Sequence, residues 1–166
     1  MAEKKGIAKF FKVSVEQFDF DWIETVKNFD SPYDRIKLPK CATSGSAGYD
    51  FYSPLSFDLK PGESIKIPTG IRARIEDGWV LMLFPRSSLG FKYRLMLNNT
   101  VGIIDADYYN AKNEGHIFAA ITNCGNKPLH INEGDAFMQG VFVQHGYVAD
   151  DKADGKRVGG MGSTGA

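Results

Sequence analysis

Asp105 follows the short apolar run Val101–Ile104 and stands three residues before Tyr108. A carboxylate at the end of a strand is placed to take a proton from water. The tyrosine offers a flat face to a sugar, and Gly102 lets a ligand lie against the backbone. The plainer reading of the same stretch is a hairpin whose acids are solvated. A second group is Pro85-Arg86-Ser87-Ser88-Leu89-Gly90, directly after the apolar run Trp79–Phe84. Arginine presents a planar fork of donors that fits phosphate, two serines add hydroxyls, and a sharp turn after a strand is a common place for a site. Its plainer reading is a turn holding an arginine–carboxylate pair. A third group closes the chain, where Lys156 and Arg157 precede a glycine-rich run containing Ser163 and Thr164. Bare glycine N–H groups, hydroxyls and two cations together suit phosphate oxygens. Taken alone, that tail reads as a disordered polar end. Ser46-Ala47-Gly48-Tyr49-Asp50 and the stretch Glu133 to Gly140 complete the set. Asp50 by itself reads as a buried structural acid paired with an arginine.

The bulk of the chain limits the function classes. It has 166 residues, 43% of them hydrophobic, which suits one soluble domain with a core. Twenty basic side chains meet twenty acidic ones, which removes the electrostatic case for a general nucleic-acid or membrane-surface binder. Cys41 and Cys124 have no metal-ligand spacing, and His116, His130 and His145 lie far apart, so a zinc hydrolase has little support. No signal peptide and no bilayer-length apolar run are present, which points to the cytoplasm.

The elements that must position these groups divide into three. Residues 1–34 form an N-terminal extension in which Ser14 to Gln17 reads as a capping box. Val15, Phe18, Trp22, Ile23 and Val26 recur at helical spacing, predicting one helix over 15–28. Residues 35–150 are a β core. Its strands are predicted at Ile36–Leu38, Tyr49–Tyr52, Ser64–Ile67, Ile71–Ile75, Trp79–Phe84, Val101–Ile104, His116–Ile121, Leu129–Ile131 and Phe137–Val143, with glycine turns between them and no second helical pattern. That excludes Rossmann and P-loop folds and predicts a sandwich, jelly roll or barrel. Residues 151–166 read as a mobile C-terminal arm.

In order and spacing these segments resemble the five motifs of the trimeric dUTPase family, over roughly residues 36 to 166. Ala47 to Asp50 is similar to the first, Pro85 to Gly90 to the second, Gly102 to Tyr108 to the third, Gly134 to Gln139 to the fourth and Gly159 to Gly165 to the fifth. The resemblance implies an all-β jelly roll (the dUTPase-like β-clip barrel) with a short N-terminal helix and a flexible glycine-rich arm. It implies a homotrimer whose active sites are shared between subunits. The reaction would be hydrolysis of dUTP to dUMP and pyrophosphate with Mg2+, which limits uracil incorporation into DNA and supplies dUMP for dTMP synthesis. Asp105 matches the acid that activates water, and Tyr108 the ring that packs on deoxyribose and excludes a 2′-hydroxyl. Asn99, Gly102 and Ile104 match the uracil-reading hairpin. Arg86, Ser87, Ser88 and Gln139 match the phosphate side, and the family arginine before the final glycines falls to Arg157 or Lys156, with Arg157 preferred for its phosphate geometry. Asp50 matches the acid linked to the metal through water, and Met161, Gly162, Ser163 and Thr164 match the closing arm.

Some positions depart from the family pattern. Met161 stands where a phenylalanine usually covers uracil; either Met161 serves or another aromatic does, such as Tyr109 or Phe118. Asn110 stands where glycine is common, Ser88 where many members have glycine, and the segment 109–116 is longer than the usual turn. Two rivals follow. A dCTP deaminase resembles dUTPases in fold, but it needs a glutamate at about Ala120 and tends to carry tryptophan at Tyr108. A non-catalytic regulator would use residues 1–34 as a contact surface, against which stand Asp105, Tyr108, Asn99, Arg86 and Gln139.

Overall fold

The structure, a computed structural model, describes residues 6–28 and 30–151 together with Gly155, Arg157 and Gly159. The chain opens with β1 (Ala8–Lys12) and α1 (Val15–Val26). A 3-10 turn at Tyr33–Arg35 leads into β2 (Lys40–Cys41), β3 (Tyr49–Tyr52), β4 (Phe57–Leu59), β5 (Ser64–Pro68), β6 (Ile71–Ile75) and β7 (Trp79–Pro85). Then come α2 (Ser87–Tyr93), β8 (Leu95–Leu97), β9 (Gly102–Ile104), a 3-10 turn at Ala106–Asn110, β10 (Phe118–Asn123), β11 (Leu129–Ile131) and β12 (Ala136–Gln144).

Every paired strand is antiparallel. The largest sheet runs β2-β3-β12-β7-β9, beside a three-stranded sheet β5-β10-β8 and the pairs β1-β6 and β11-β4. This is the all-β jelly roll expected. β7 shows how the pattern works: Leu81 and Leu83 are buried while their neighbours are only half-buried, the period-two signature of a sheet packed on one face. Phe51, Ile67, Ile104, Ile121 and Phe137 join them in one continuous core.

Among the described residues, no helix is long and apolar enough to cross a membrane. Helix α1 starts at Ser14, whose hydroxyl accepts the Gln17 N–H at 3.2 Å. The reciprocal half of the capping box does not form. The Gln17 amide turns to Asp21, and the Ser14 N–H goes to Glu114. The helix stops at Lys27, which is in the left-handed region, slightly before the predicted end. Ile36–Leu38 is not a strand; Ile36 is buried from a coil segment instead. A second helix, α2, exists where none was expected. None of its residues is buried, so no apolar stripe marked it.

Candidate functional site

Strand β12 carries a bulge between Ala136 and Met138. The extra residue brings Gln139 opposite Asp50 of β3, so both side chains leave the same face. On its other side Gln139 is opposite Phe84 of β7, and its amide donates to the Pro85 carbonyl at 3.4 Å. Arg86 follows at once, and its Nε lies 3.3 Å from Asp50 Oδ1. These three side chains, with Gly48 and Ser87, line an open cleft of about 380 Å³. The plain reading of Asp50 as an acid paired with an arginine is therefore what its contacts display, and the pair sits at the edge of a cleft. Ser88 is exposed on α2 and does not line this cleft.

Gly48 leaves room for the Gln139 side chain as it is placed. A Cβ there would lie 2.5 Å from the Gln139 amide oxygen. Asp50 is the cleft's single carboxylate, and no group of three or more His, Cys, Asp or Glu converges among the described residues. That donor set fits magnesium, which keeps several waters and draws its remaining ligands largely from phosphate oxygens.

The second cluster forms around Asp105. β9 pairs with β7, Gly102 opposite Leu83 and Ile104 opposite Leu81. A Cβ on Gly102 would lie 2.9 Å from Leu83, so close strand packing is one reason for this glycine. Ile104 is buried, leaving only its backbone for a ligand. Asn99 is exposed in a tight turn in which Thr100 adopts φ +64. Beyond β9 the chain enters the 3-10 turn, which sets Asp105 and Asp107 side by side at the surface. Arg157 binds both: one guanidinium nitrogen is 2.8 Å from Asp105 and 3.1 Å from Asp107. Burial of the guanidinium works against its charge, but the two carboxylates outweigh it and raise its pKa. The same guanidinium lies 5.0 Å from the centre of the Tyr108 ring. Its Nε is buried and has no hydrogen-bond partner among the described residues.

Tyr108 itself is buried, and its hydroxyl donates to the His116 carbonyl at 2.6 Å while accepting the Asn113 amide at 2.8 Å. The two aromatics considered as a uracil cover are otherwise engaged: Tyr109 lies under Arg72, with 3.7 Å from ring to guanidinium, and Phe118 packs on His116. Met161, Gly162, Ser163 and Thr164 lie outside the described residues.

Two groups of candidate residues thus form, and one chain does not unite them. Asp105 leaves β9 just past the Ile104–Leu81 pair, toward the Val80 end of β7. Arg86 follows the opposite end of β7, six residues on from Val80, roughly 20 Å along the strand at about 3.4 Å per residue. Neither Asp107 nor the hydrogen bonds of the Tyr108 hydroxyl belongs to the residues that stand out in the sequence. Asp107 was legible as a second acid two residues from Asp105; the hydrogen bonds were not, since they join the hydroxyl to a backbone carbonyl and an amide in the following loop.

The sequence model of the dUTPase family matches residues 34–165. The deoxyuridine 5′-triphosphate nucleotidohydrolase of Lactococcus lactis subsp. lactis is 42% identical over 134 residues, covering 79% of this chain and 89% of that protein. Among solved structures, the dUTPase of Streptococcus mutans superposes with a TM-score of 0.62 at 33% identity, over 84% of this chain and 97% of that one. The dUTPase of phage phi11 of S. aureus, described as coordinating a structural Mg(II) ion, shares the fold with a TM-score of 0.64 at 20% identity, over 90% and 98% of the two chains.

Proposed function

From the premise that the chain belongs to the dUTPase family, we propose that it hydrolyses dUTP to dUMP and pyrophosphate. The observation that carries the proposal is the convergence of a surface carboxylate, an arginine and a tyrosine ring at Asp105, Arg157 and Tyr108. Asp105 takes a proton from the attacking water. The water oxygen bonds to the α-phosphorus as the bond to the bridging oxygen breaks, and pyrophosphate leaves. Charge gathers on phosphoryl oxygens, so positioned cations contribute most of the stabilisation. Arg86 and Ser87 hold the phosphates from one side, with Gln139 beside them. Arg157 approaches from the other and brings its guanidinium charge. Magnesium, when bound, would neutralise phosphate charge, with Asp50 reaching it through water. The Tyr108 ring is the wall against a ribose hydroxyl, and the backbone at Asn99–Gly102 reads the uracil edge. Met161, Gly162, Ser163 and Thr164 close over the nucleotide as the C-terminal arm.

The separation of Asp105 from Arg86 supports a site shared between chains. Roughly 20 Å of strand lies between their backbones, which supports a second copy bringing its Arg86 cleft to the Asp105 of the first. We read the assembly as a homotrimer and the location as cytoplasmic, with no nucleic-acid or membrane partner. A deaminase reading loses its glutamate: position 120 is an alanine in β10, opposite Lys66.

The test is pyrophosphate release from dUTP by the wild type and by Asp105→Asn. The variant should still bind dUTP and lose about 10²–10⁴-fold in turnover, the usual contribution of a positioned base. A wild type inert toward dUTP, or an undiminished variant, overturns the reading.

A further inference from the structure

The family match begins at residue 34, yet α1 reaches the site from outside it. Asp21 of α1 lies 2.6 Å from Nδ1 of His116, a fully buried ring. The other ring nitrogen, Nε2, accepts the Gly70 N–H at 2.8 Å. An acceptor at Nε2 places the ring proton on Nδ1, so a neutral imidazole donates to Asp21. The Gln17 amide donates to the same carboxylate oxygen, which completes its support. The carbonyl of this same His116 accepts the Tyr108 hydroxyl.

A second tie runs beside the first. The Ser14 N–H and hydroxyl both donate to the Glu114 carboxylate, at 2.8 and 2.6 Å. Glu114 has φ +58, a conformation an L residue rarely holds unaided, and Gly115 follows at φ +71, where glycine is at ease. The loop is also tight, since a Cβ on Gly115 would lie 2.6 Å from the Tyr108 carbonyl oxygen. Such a turn keeps its shape only when its surroundings over-determine it. Here the surroundings include Arg72, 3.7 Å from Glu114, and residues 14–21, about a hundred positions away in the chain.

We infer that the N-terminal segment positions Tyr108: Asp21 through His116, and Ser14 through Glu114, hold the 113–116 loop that anchors the tyrosine hydroxyl, and so set the discrimination between deoxyribose and ribose. This rests on the reading of Tyr108 as the sugar wall. Asp21 and Ser14 are positioning residues, since neither touches the nucleotide.

The experiment compares kcat/KM for dUTP and for UTP in the wild type, Asp21→Ala, Asp21→Asn and Glu114→Gln. Hydrogen exchange of residues 108–117 is followed alongside. Misplacing a group by about 1 Å costs about a hundredfold, so a loosened ring should lower the dUTP-to-UTP ratio by roughly tenfold in Asp21→Ala. The loop amides should exchange faster in the same variant. Asp21→Asn still accepts the Nδ1 proton and should restore most of the ratio. Glu114→Gln, a milder change for the case where Asp21→Ala does not fold, should lower the ratio in the same direction. The control Ile131→Val shortens a core residue on β11, away from the loop, and should lower stability with the ratio intact. A wild type that ignores dUTP overturns the function itself. A wild type active on dUTP, with the ratio unchanged in both Asp21→Ala and Glu114→Gln, overturns the positioning role alone.

Discussion

Asp50 and Arg86 face each other across 3.3 Å at the edge of the cleft, with Gln139 directly opposite Asp50 on the neighbouring strand. The arginine side chain is 40% exposed and the acid 17%, so the pair adds little to stability. Its consequence is aim: the carboxylate holds the guanidinium at the cleft. Arg86→Lys keeps the charge and removes the fork. Losing one charge-assisted hydrogen bond to phosphate costs about 1.5–3 kcal/mol, so KM for dUTP should rise roughly 10- to 100-fold. Thermal unfolding should be nearly unchanged. Steady-state kinetics beside a melting curve check both, and an unaltered KM would remove Arg86 from the phosphate side.

Gly48 tests the same cleft without touching a charge. An added methyl meets the amide oxygen of Gln139 at 2.5 Å but the rest of that side chain only at 3.5 Å or more. The flexible end of Gln139 swings aside and the backbone stays. Gly48→Ala should therefore lower kcat/KM by about tenfold, the loss expected of one hydrogen bond to a charged group. The melting temperature should move by no more than about 2 °C. A large fall in melting temperature with retained kinetics would mean that Gly48 serves the strand rather than the site.

Much of this architecture is legible in the residues themselves, and the failures have physical causes. Tyr49–Tyr52, Ile71–Ile75 and Leu129–Ile131 match their predicted bounds because glycine turns and one-sided burial mark them. β1 escaped because both its faces are covered. Phe10 packs on Tyr49, Phe51 and Phe142, while its neighbour Phe11 packs on Tyr109, so no alternation survives. In the site, Asp50, Arg86, Ser87 and Gln139 were each visible by type, and the structure brings them together. Asp21 and His116 are 95 residues apart, and nothing local to either announces the pair.

Glu114 should make stability depend on acid. Burial alone would raise its carboxyl, but the two Ser14 hydrogen bonds and nearby Arg72 outweigh burial and hold it below its ordinary value. A depressed carboxyl adds stability above its unfolded pKa, and that contribution is lost as pH falls through the lower folded value. Glu114→Gln carries no such charge. The wild type should exceed the variant in urea midpoint at neutral pH, and the difference should shrink toward pH ~3, below the ordinary glutamate value. A difference independent of pH would show that packing, not ionisation, accounts for the tie.

Arg157 joins the far end of the chain to the base. Both of its partners are exposed, Asp105 at 51% and Asp107 at 59%, so the ion pairs themselves contribute about 0–1 kcal/mol each. No helix or strand is found among the described residues after Gln144. Removing residues 157–166 should therefore leave the folded assembly intact, with the melting temperature lowered by a few degrees at most, about 4 °C. Activity should fall far more, because the deletion takes away a cation aimed at phosphate together with the closing segment. Arg157→Ala separates these effects. It should lose about 1.5–3 kcal/mol of transition-state stabilisation, the worth of a hydrogen bond from a charged donor, while the deletion loses more. Size-exclusion chromatography and pyrophosphate release on the two variants decide the matter: a deleted form that unfolds, or one that keeps full turnover, would end the assignment of this arm to the active site.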